Sequence, residues 1–291
     1  MTGLKKLQKH NHRKASISFT CFRTRRHEFL NRLAPYSLKS VNSNDTYRVA
    51  RKNQSVFVKV YGPKKPRFSY EIRCILKRIG MRQPIEYWPP KQRKECEESY
   101  LKHWQEKGFY VPEILPSPFP EYEDVPHLST TFVEGVTLKL LLKKDYSSSK
   151  EILMNLFTDM SKRHRLAFET HDNLLFHIDA NTQNILVERN RFVHVDFEMG
   201  RPWEDPLENA RREVSKLLIS IGENLKPNER KPVYSLFKKC YRNKDLLNSL
   251  TNSVNERPFQ KYHRWRNKKK KMRNPRCVTL YDLVDILCGI R

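Results

Sequence analysis

The sequence predicts an α+β chain folded as two lobes. Three observations carry that prediction. Short runs of β-type composition dominate before about residue 134, and amphipathic helical stripes dominate after it. The 291 residues suit one large domain or two lobes sharing an interface. With 38% hydrophobic and 11% aromatic residues, the chain has enough apolar surface for a core, which excludes wholesale disorder. No internal repeat or long low-complexity tract is present.

Along the chain, residues 1–35 are basic with weak periodicity and read as a lead-in. Short β-type runs follow at Leu38–Val41, Tyr47–Ala50 and Val56–Tyr61, with Lys52-Asn53-Gln54 as the turn between the last two. Helices are expected over about Tyr70–Ile79 and Lys94–Gln105, and a strand-like stretch opens at Gly108–Pro112. The segment Leu115–Pro126 carries Pro116, Pro118, Pro120 and Pro126 and must be irregular or an edge. Leu128–Val133 is β-like, and Glu134-Gly135 ends it. These elements make a first lobe over 36–134 and a mainly helical second lobe over 135–291.

In the second part, Ser148 and Glu151 fit a capping box. Ile152, Leu153, Leu156, Phe157 and Met160 then mark one helix face. Asn184–Val187 and Phe192–Phe197 read as two strands around a polar Glu188–Arg191 turn. A second capped helix starts at Asp205-Pro206, with Glu208 at the box position and a stripe of Leu207, Ala210, Val214, Leu217 and Leu218.

Charge narrows the partners. Lys+Arg 57 against Asp+Glu 32 leaves +25, so the chain is expected to work beside something anionic: nucleic acid, lipid headgroups or a phosphorylated glycan. The excess concentrates in Arg257–Arg276, which has no acidic residue and interleaves Phe259, Tyr262 and Trp265 with its cations. A contact with an anionic headgroup layer is one reading of that segment and a solvated tail is the other; nucleic acid is the less favoured partner. No apolar run approaches the roughly 18–20 residues that cross a bilayer, and the start lacks a secretory pattern. Six widely separated cysteines without a CxxC pair point to reduced thiols in a cytosol rather than a zinc site or disulfide scaffold.

One segment carries chemistry. His177-Ile178-Asp179-Ala180-Asn181-Thr182-Gln183-Asn184 spells H-x-D-x4-N, and Val193-His194-Val195-Asp196-Phe197-Glu198 follows a strand, a turn and a second strand. Phosphoryl transfer from a nucleotide needs a carboxylate to align the acceptor hydroxyl and oxygen ligands to hold Mg²⁺ against the phosphates. Asp179 and Asn184 lie five apart on one loop, and the hairpin returns Asp196 to the same place. Asn184 and Asp196 would share the metal while Asp179 accepts the hydroxyl proton. Any one of these residues alone would read as a turn, a cap or a packed histidine; the combination, with its spacing and flanking β-character, reads as a site.

Upstream, Lys59 lies in the hydrophobic strand Val56-Phe57-Val58-Lys59-Val60. Alternation points it to the side of Phe57, where a buried ammonium needs a carboxylate partner. Glu97 is preferred because its helix runs directly into the next strand, and Glu71 is the alternative.

These blocks resemble the protein-kinase-like superfamily, and in particular the bacterial lipopolysaccharide kinases that act on Kdo or heptose of the inner core. The stretches that carry the resemblance are FVKVYG, the E-x3-L-x2-W-x3-G-x2-VP passage from Glu97 to Pro112, TTFVEGVTL, and HIDANTQNILV with HVDFE; together they span roughly 38–220. The resemblance implies a two-lobed kinase-like fold using ATP and Mg²⁺. Lys59 would bind the α/β-phosphates with Glu97 orienting it, and Thr131–Glu134, including Thr131 and Val133, would be the hinge whose backbone meets adenine. Asp179 would be the catalytic aspartate, and Asn184 and Asp196 the metal ligands.

Departures from the family pattern shape the acceptor. No glycine-rich loop is present in the hairpin Val41–Tyr47, and the chain has only 8 glycines, well below a usual ~7%. Glu198 replaces the glycine after D-F, where it would add a carboxylate near the metal or face outward. No arginine precedes Asp179. The missing arginine argues against a regulated protein kinase, and the basic charge favours a kinase of an anionic, lipid-linked glycan at the cytoplasmic membrane face; the missing glycine loop is the feature that supports a catalytically silent module instead. A soluble small-molecule or protein acceptor is the second reading. A catalytically silent module binding RNA or another anionic partner is the third.

Overall fold

The computed structural model describes residues 24–38, 44–51, 54–62, 88–144, 146–198, 202–255 and 260–289, with the backbone only at 146–148. The expected helix at Tyr70–Ile79 with Glu71, all but Leu38 of the strand Leu38–Val41, residues 41–43 of the hairpin Val41–Tyr47, Lys52 and Asn53 of the expected turn, and Phe259 lie outside the described residues. The helix expected to be capped at Ser148 starts at Tyr146 instead, so Ser148 lies within it. Among the described residues the architecture is α+β and mainly helical, with two small antiparallel sheets.

The chain divides into two compact units. One comprises 1–79, 83–95 and 113–132; the other comprises 80–82, 96–112 and 133–291. In the first unit a helix over 24–33 (α1) precedes strands β1 (Asp45–Ala50) and β2 (Ser55–Val60), which pair antiparallel. Strand β3 (His127–Thr131) adds to the other edge of β2. Alternation sorts β2 cleanly: Val56, Val58 and Val60 are fully buried and face Phe29 and Leu33 of α1, with Tyr47 and Val49 of β1 beside them. Burying each such valine contributes about 1.5–3 kcal/mol, so this cluster orders the sheet. Lys59 takes the other face, registered between Thr46 and Leu128.

Helix α2 (Pro90–Glu106) contributes residues 90–95 to the first unit and the rest to the second. It ends at Gly108, whose φ of 80° lets Phe109 N–H reach Trp104 O at 2.9 Å and Gly108 N–H reach Gln105 O at 3.0 Å, a paired glycine stop. The strand expected at Gly108–Pro112 does not form. Only Tyr110 O meets the edge of the second sheet, accepting from His194 N–H at 3.1 Å.

The second unit continues with β4 (Val136–Thr137), α3 (Leu138–Lys144) and the long α4 (Tyr146–Thr170). The hairpin β5 (Ile185–Glu188) and β6 (Arg191–His194) turns on Arg189 and Asn190, both at positive φ, the mirror-image turn that suits strand twist. Strand β6 stops at His194, three residues short of the expected Phe197, because Asp196 turns to φ 68° and cannot continue a ladder. Helices α5 (Pro206–Asn224), α6 (Pro227–Cys240), α7 (Lys244–Asn255), α8 (Gln260–Arg273) and α9 (Leu280–Leu287) complete it.

Asp205 caps α5 by accepting from Leu207 N–H at 2.9 Å, with Pro206 in the first turn. Glu208 reaches forward to Arg211 at 2.6 Å. The stripe of Ala210, Val214, Leu217 and Leu218 is buried as patterned, and Leu153, Leu156, Phe157 and Met160 line α4 in the same way. Phe157 meets Phe237 of α6 edge to face. Among the described residues, no helix is long and apolar enough to cross a membrane, and Cys96, Cys240, Cys277 and Cys288 are free thiols.

Candidate phosphotransfer site

The site begins with polar residues where apolar ones belong. Arg163 continues the apolar face of α4, and Glu213 lies within the buried stripe of α5; both are about 1% exposed. A buried charge must be paired, and these two pair with each other. His164 adds Nε2 to the same carboxylate at 2.9 Å and shares Nδ1 with Tyr241 Oη at 2.7 Å. Burial alone would raise the Glu213 pKa, but Arg163 and His164 hold it well below the usual carboxylate range. The ionised carboxylate then accepts His177 N–H at 2.8 Å, which fixes the first residue of the loop.

The rest of the loop is held by the same face of α5. Lys216, one turn on from Glu213, donates to Ile178 O at 2.7 Å and to Asp179 Oδ1 at 2.8 Å. Ser220, a turn further, accepts Thr182 N–H at 3.0 Å, and Asn224 reaches Thr182 Oγ1 at 3.2 Å. Positions 213, 216, 220 and 224 fall on one helical stripe, so α5 grips residues 177–182 point by point.

Hydrogen bonds then tie the loop to the end of the hairpin. Asn184 Nδ2 donates to Asp179 O at 3.1 Å. Val195 N–H donates to Asn184 O at 3.0 Å. Val195 O in turn accepts from His177 Nε2 at 3.0 Å, which requires the proton on Nε2. The His177 ring stacks on Phe197 at 4.4 Å, and Phe197 is also packed against Tyr100 and Trp104 of α2. Residues on both sides of Asp196 are therefore held, and Asp196 itself adopts the left-handed φ of 68°. For a non-glycine residue this costs of order 1–3 kcal/mol, and such strain concentrates at functional sites.

Glu97, Asp196 and Glu198 bring carboxylate oxygens within 4.8 Å of one another. Glu97 and Glu198 are buried, and Asp196 is half-buried. Oxygen-only donors at this spacing suit a hard divalent cation. Asn184 has committed its amide nitrogen to Asp179 O, so its Oδ1 is the atom available to a metal.

The expected site residues therefore fall as follows. Asp179, Asn184 and Asp196 occupy one hydrogen-bonded neighbourhood of the second unit, and Glu97 and Glu198 stand with Asp196. Lys59 is in the first unit, 7% exposed, with its ammonium 5.3 Å above the Tyr61 ring. Thr131 ends β3, where Oγ1 accepts Glu113 N–H at 3.0 Å, and the chain passes from the first unit to the second between Phe132 and Val133. Lys216, Glu213 and Arg163 were not singled out from sequence. Glu213 and Arg163 were detectable as charges inside apolar stripes; Lys216 looks like any helical lysine.

No protein-family model matches the sequence, and no match was found among curated proteins. Among solved structures the chain is similar to one described as WaaP in complex with acyl carrier protein. Identity is 13%, coverage is 78% of this chain and 86% of that one, and the TM-score is 0.46.

Proposed function

We propose that the chain is a protein-kinase-like, ATP-dependent phosphotransferase that acts on a sugar hydroxyl of an anionic, lipid-linked glycan such as the lipopolysaccharide inner core. The observation that carries this reading is the hydrogen-bond chain His177–Val195–Asn184–Asp179, which ties the loop bearing Asp179 and Asn184 to the residue next to Asp196, a member of the Glu97–Asp196–Glu198 cluster. In this reading residues 36–134 form the N-lobe and 135–291 the C-lobe.

Asp196 and the Asn184 amide oxygen would hold Mg²⁺, with Glu198 as an added carboxylate. Lys59 is assigned to the α/β-phosphates with Glu97 orienting it, and the Thr131–Val133 backbone to adenine. When bound, Mg²⁺–ATP supplies the phosphoryl group and offsets charge on it. Asp179 orients the acceptor hydroxyl and receives its proton. Lys216 holds that carboxylate in place and contributes positive charge where the transferred group gains negative charge. The glycan acceptor rests on the family resemblance and on the net charge of +25, which suits an anionic substrate.

The test is transfer of labelled phosphate from ATP to a panel of acceptors. Label is expected in lipid A–core glycan, and none in casein or aminoglycosides. Label confined to those latter acceptors would retire the glycan assignment. Identical melting with and without Mg²⁺–ATP, together with no transfer to any acceptor, would retire the enzyme.

A further inference from the structure

Helix α8 presents a surface that the phosphotransfer reading does not use. Of its eight cations, Arg264 pairs with Asp285 at 3.7 Å and Lys271 with Asp282, both on α9. The Arg264 guanidinium also lies 4.7 Å over the Tyr281 ring. The segment after α8 is fixed as well, since Arg230 donates to Arg276 O at 3.0 Å and to Gly222 O at 2.9 Å. Gln260, His263, Asn267 and Lys271 are the half-buried positions, so α8 docks through one face.

At 100° per residue, the face opposite the docked one carries Tyr262, Trp265, Lys269 and Met272. The three apolar members are 54%, 51% and 76% exposed. Lys261 and Lys268 flank this stripe on one side; Arg266, Lys270 and Arg273 flank it on the other, and all five are exposed. No acidic residue occurs in the helix.

We infer that this face of α8 is a docking surface for an anionic lipid bilayer, lying in the headgroup plane. The arrangement fits that partner: a central apolar stripe enters the headgroup–acyl boundary while flanking cations meet the phosphates. Single-stranded nucleic acid fits less well. Stacking needs open ring faces, whereas Lys269 Nζ sits 4.0 Å over Trp265 and Met272 offers no ring. A second copy of the chain is disfavoured by its own charge. This inference is independent of the phosphotransfer reading.

The test uses the full chain and sedimentation with vesicles, either neutral phosphatidylcholine or phosphatidylcholine with roughly 30 mol% phosphatidylglycerol, at about 0.15 M salt. Binding is expected to the anionic vesicles only, with a blue shift of tryptophan emission that Trp265→Phe removes. Each cation near such a surface is worth roughly fivefold in affinity, so Lys268→Glu with Lys269→Glu and Lys270→Glu should weaken binding at least tenfold. Trp265→Ala with Met272→Ala should weaken it severalfold. Melting temperatures should be unchanged throughout, because these side chains are exposed. Failure to sediment with anionic vesicles, wild-type binding by the charge-reversed variant, or tighter binding to a single-stranded oligonucleotide that displaces the vesicles would each overturn the inference.

Discussion

The Lys216 ammonium lies 2.8 Å from Asp179 Oδ1 and 2.7 Å from Ile178 O, so one side chain from α5 grips both the loop backbone and its carboxylate. With side chains 42% and 40% exposed, the pair adds at most about 1 kcal/mol to stability. Its importance would lie in the reaction. Lys216→Met should leave the urea midpoint within experimental scatter and lower kcat by roughly 10²–10³. A parallel loss of stability and activity would instead make Lys216 a structural residue.

Glu213 is the opposite case. It is fully enclosed and holds Arg163, His164 and His177 N–H together. Glu213→Gln removes the charge opposite a buried guanidinium, which costs about 3–5 kcal/mol. The expected result is a large drop in the urea midpoint, with activity lost at temperatures where the variant melts. A midpoint close to wild type would mean that Arg163 finds another partner.

Asp196 joins strain to chemistry. Glycine adopts its φ of 68° without strain, so Asp196→Gly should keep or raise stability, by up to about 1 kcal/mol. It should also abolish Mg²⁺-dependent stabilisation by ATP and phosphate transfer. Asp196→Asn keeps the shape and should lose metal dependence in the same way. Lys59→Ala should lose nucleotide stabilisation. Unchanged ATP stabilisation in these variants, read by thermal shift, would contradict the assignments.

Burial holds the pKa of His164, His177 and His194 below the usual histidine value. The unfolded chain therefore takes up protons near pH 6.5 that the folded chain refuses. Stability is full above that pH and falls as pH drops through it, by up to about 1.4 kcal/mol per pH unit for each histidine. Urea midpoints should hold from pH 7.5 to about 6.5 and decline below it to pH 5.5, and His194→Phe should flatten that decline. A flat profile in the wild type would show that these rings protonate in place.

Several elements were legible in the sequence because local chemistry alone decides them. Alternation in Val56–Val60 fixed the β2 face, Asp205-Pro206 fixed the start of α5, and the polar Glu188–Arg191 segment fixed the hairpin. The H-x-D-x4-N loop and the following D-F-E were readable as a group, since their spacing on one loop and one hairpin forces proximity. Other features were not. Helix α1 was hidden, because its buried pair Phe29 and Leu33 is isolated among charges and leaves almost no periodic signal. The end of β6 was overrun, because Val195, Asp196 and Phe197 still look like strand residues.

The α+β class, the facing of β2 and the nearness of the loop carrying Asp179 and Asn184 to the end of the hairpin carrying Asp196 were readable from sequence alone, because those follow from period, turn chemistry and short chain separation. Only the tertiary structure decided that Glu213, Lys216 and Ser220 form the rail that holds the loop, and that α8 turns its aromatic stripe away from α9. Both depend on which face of a helix meets another element some forty residues away in the chain for the rail, and on paired charges for α8. Such pairings are chosen by packing and desolvation summed over the whole fold, and no local pattern encodes them.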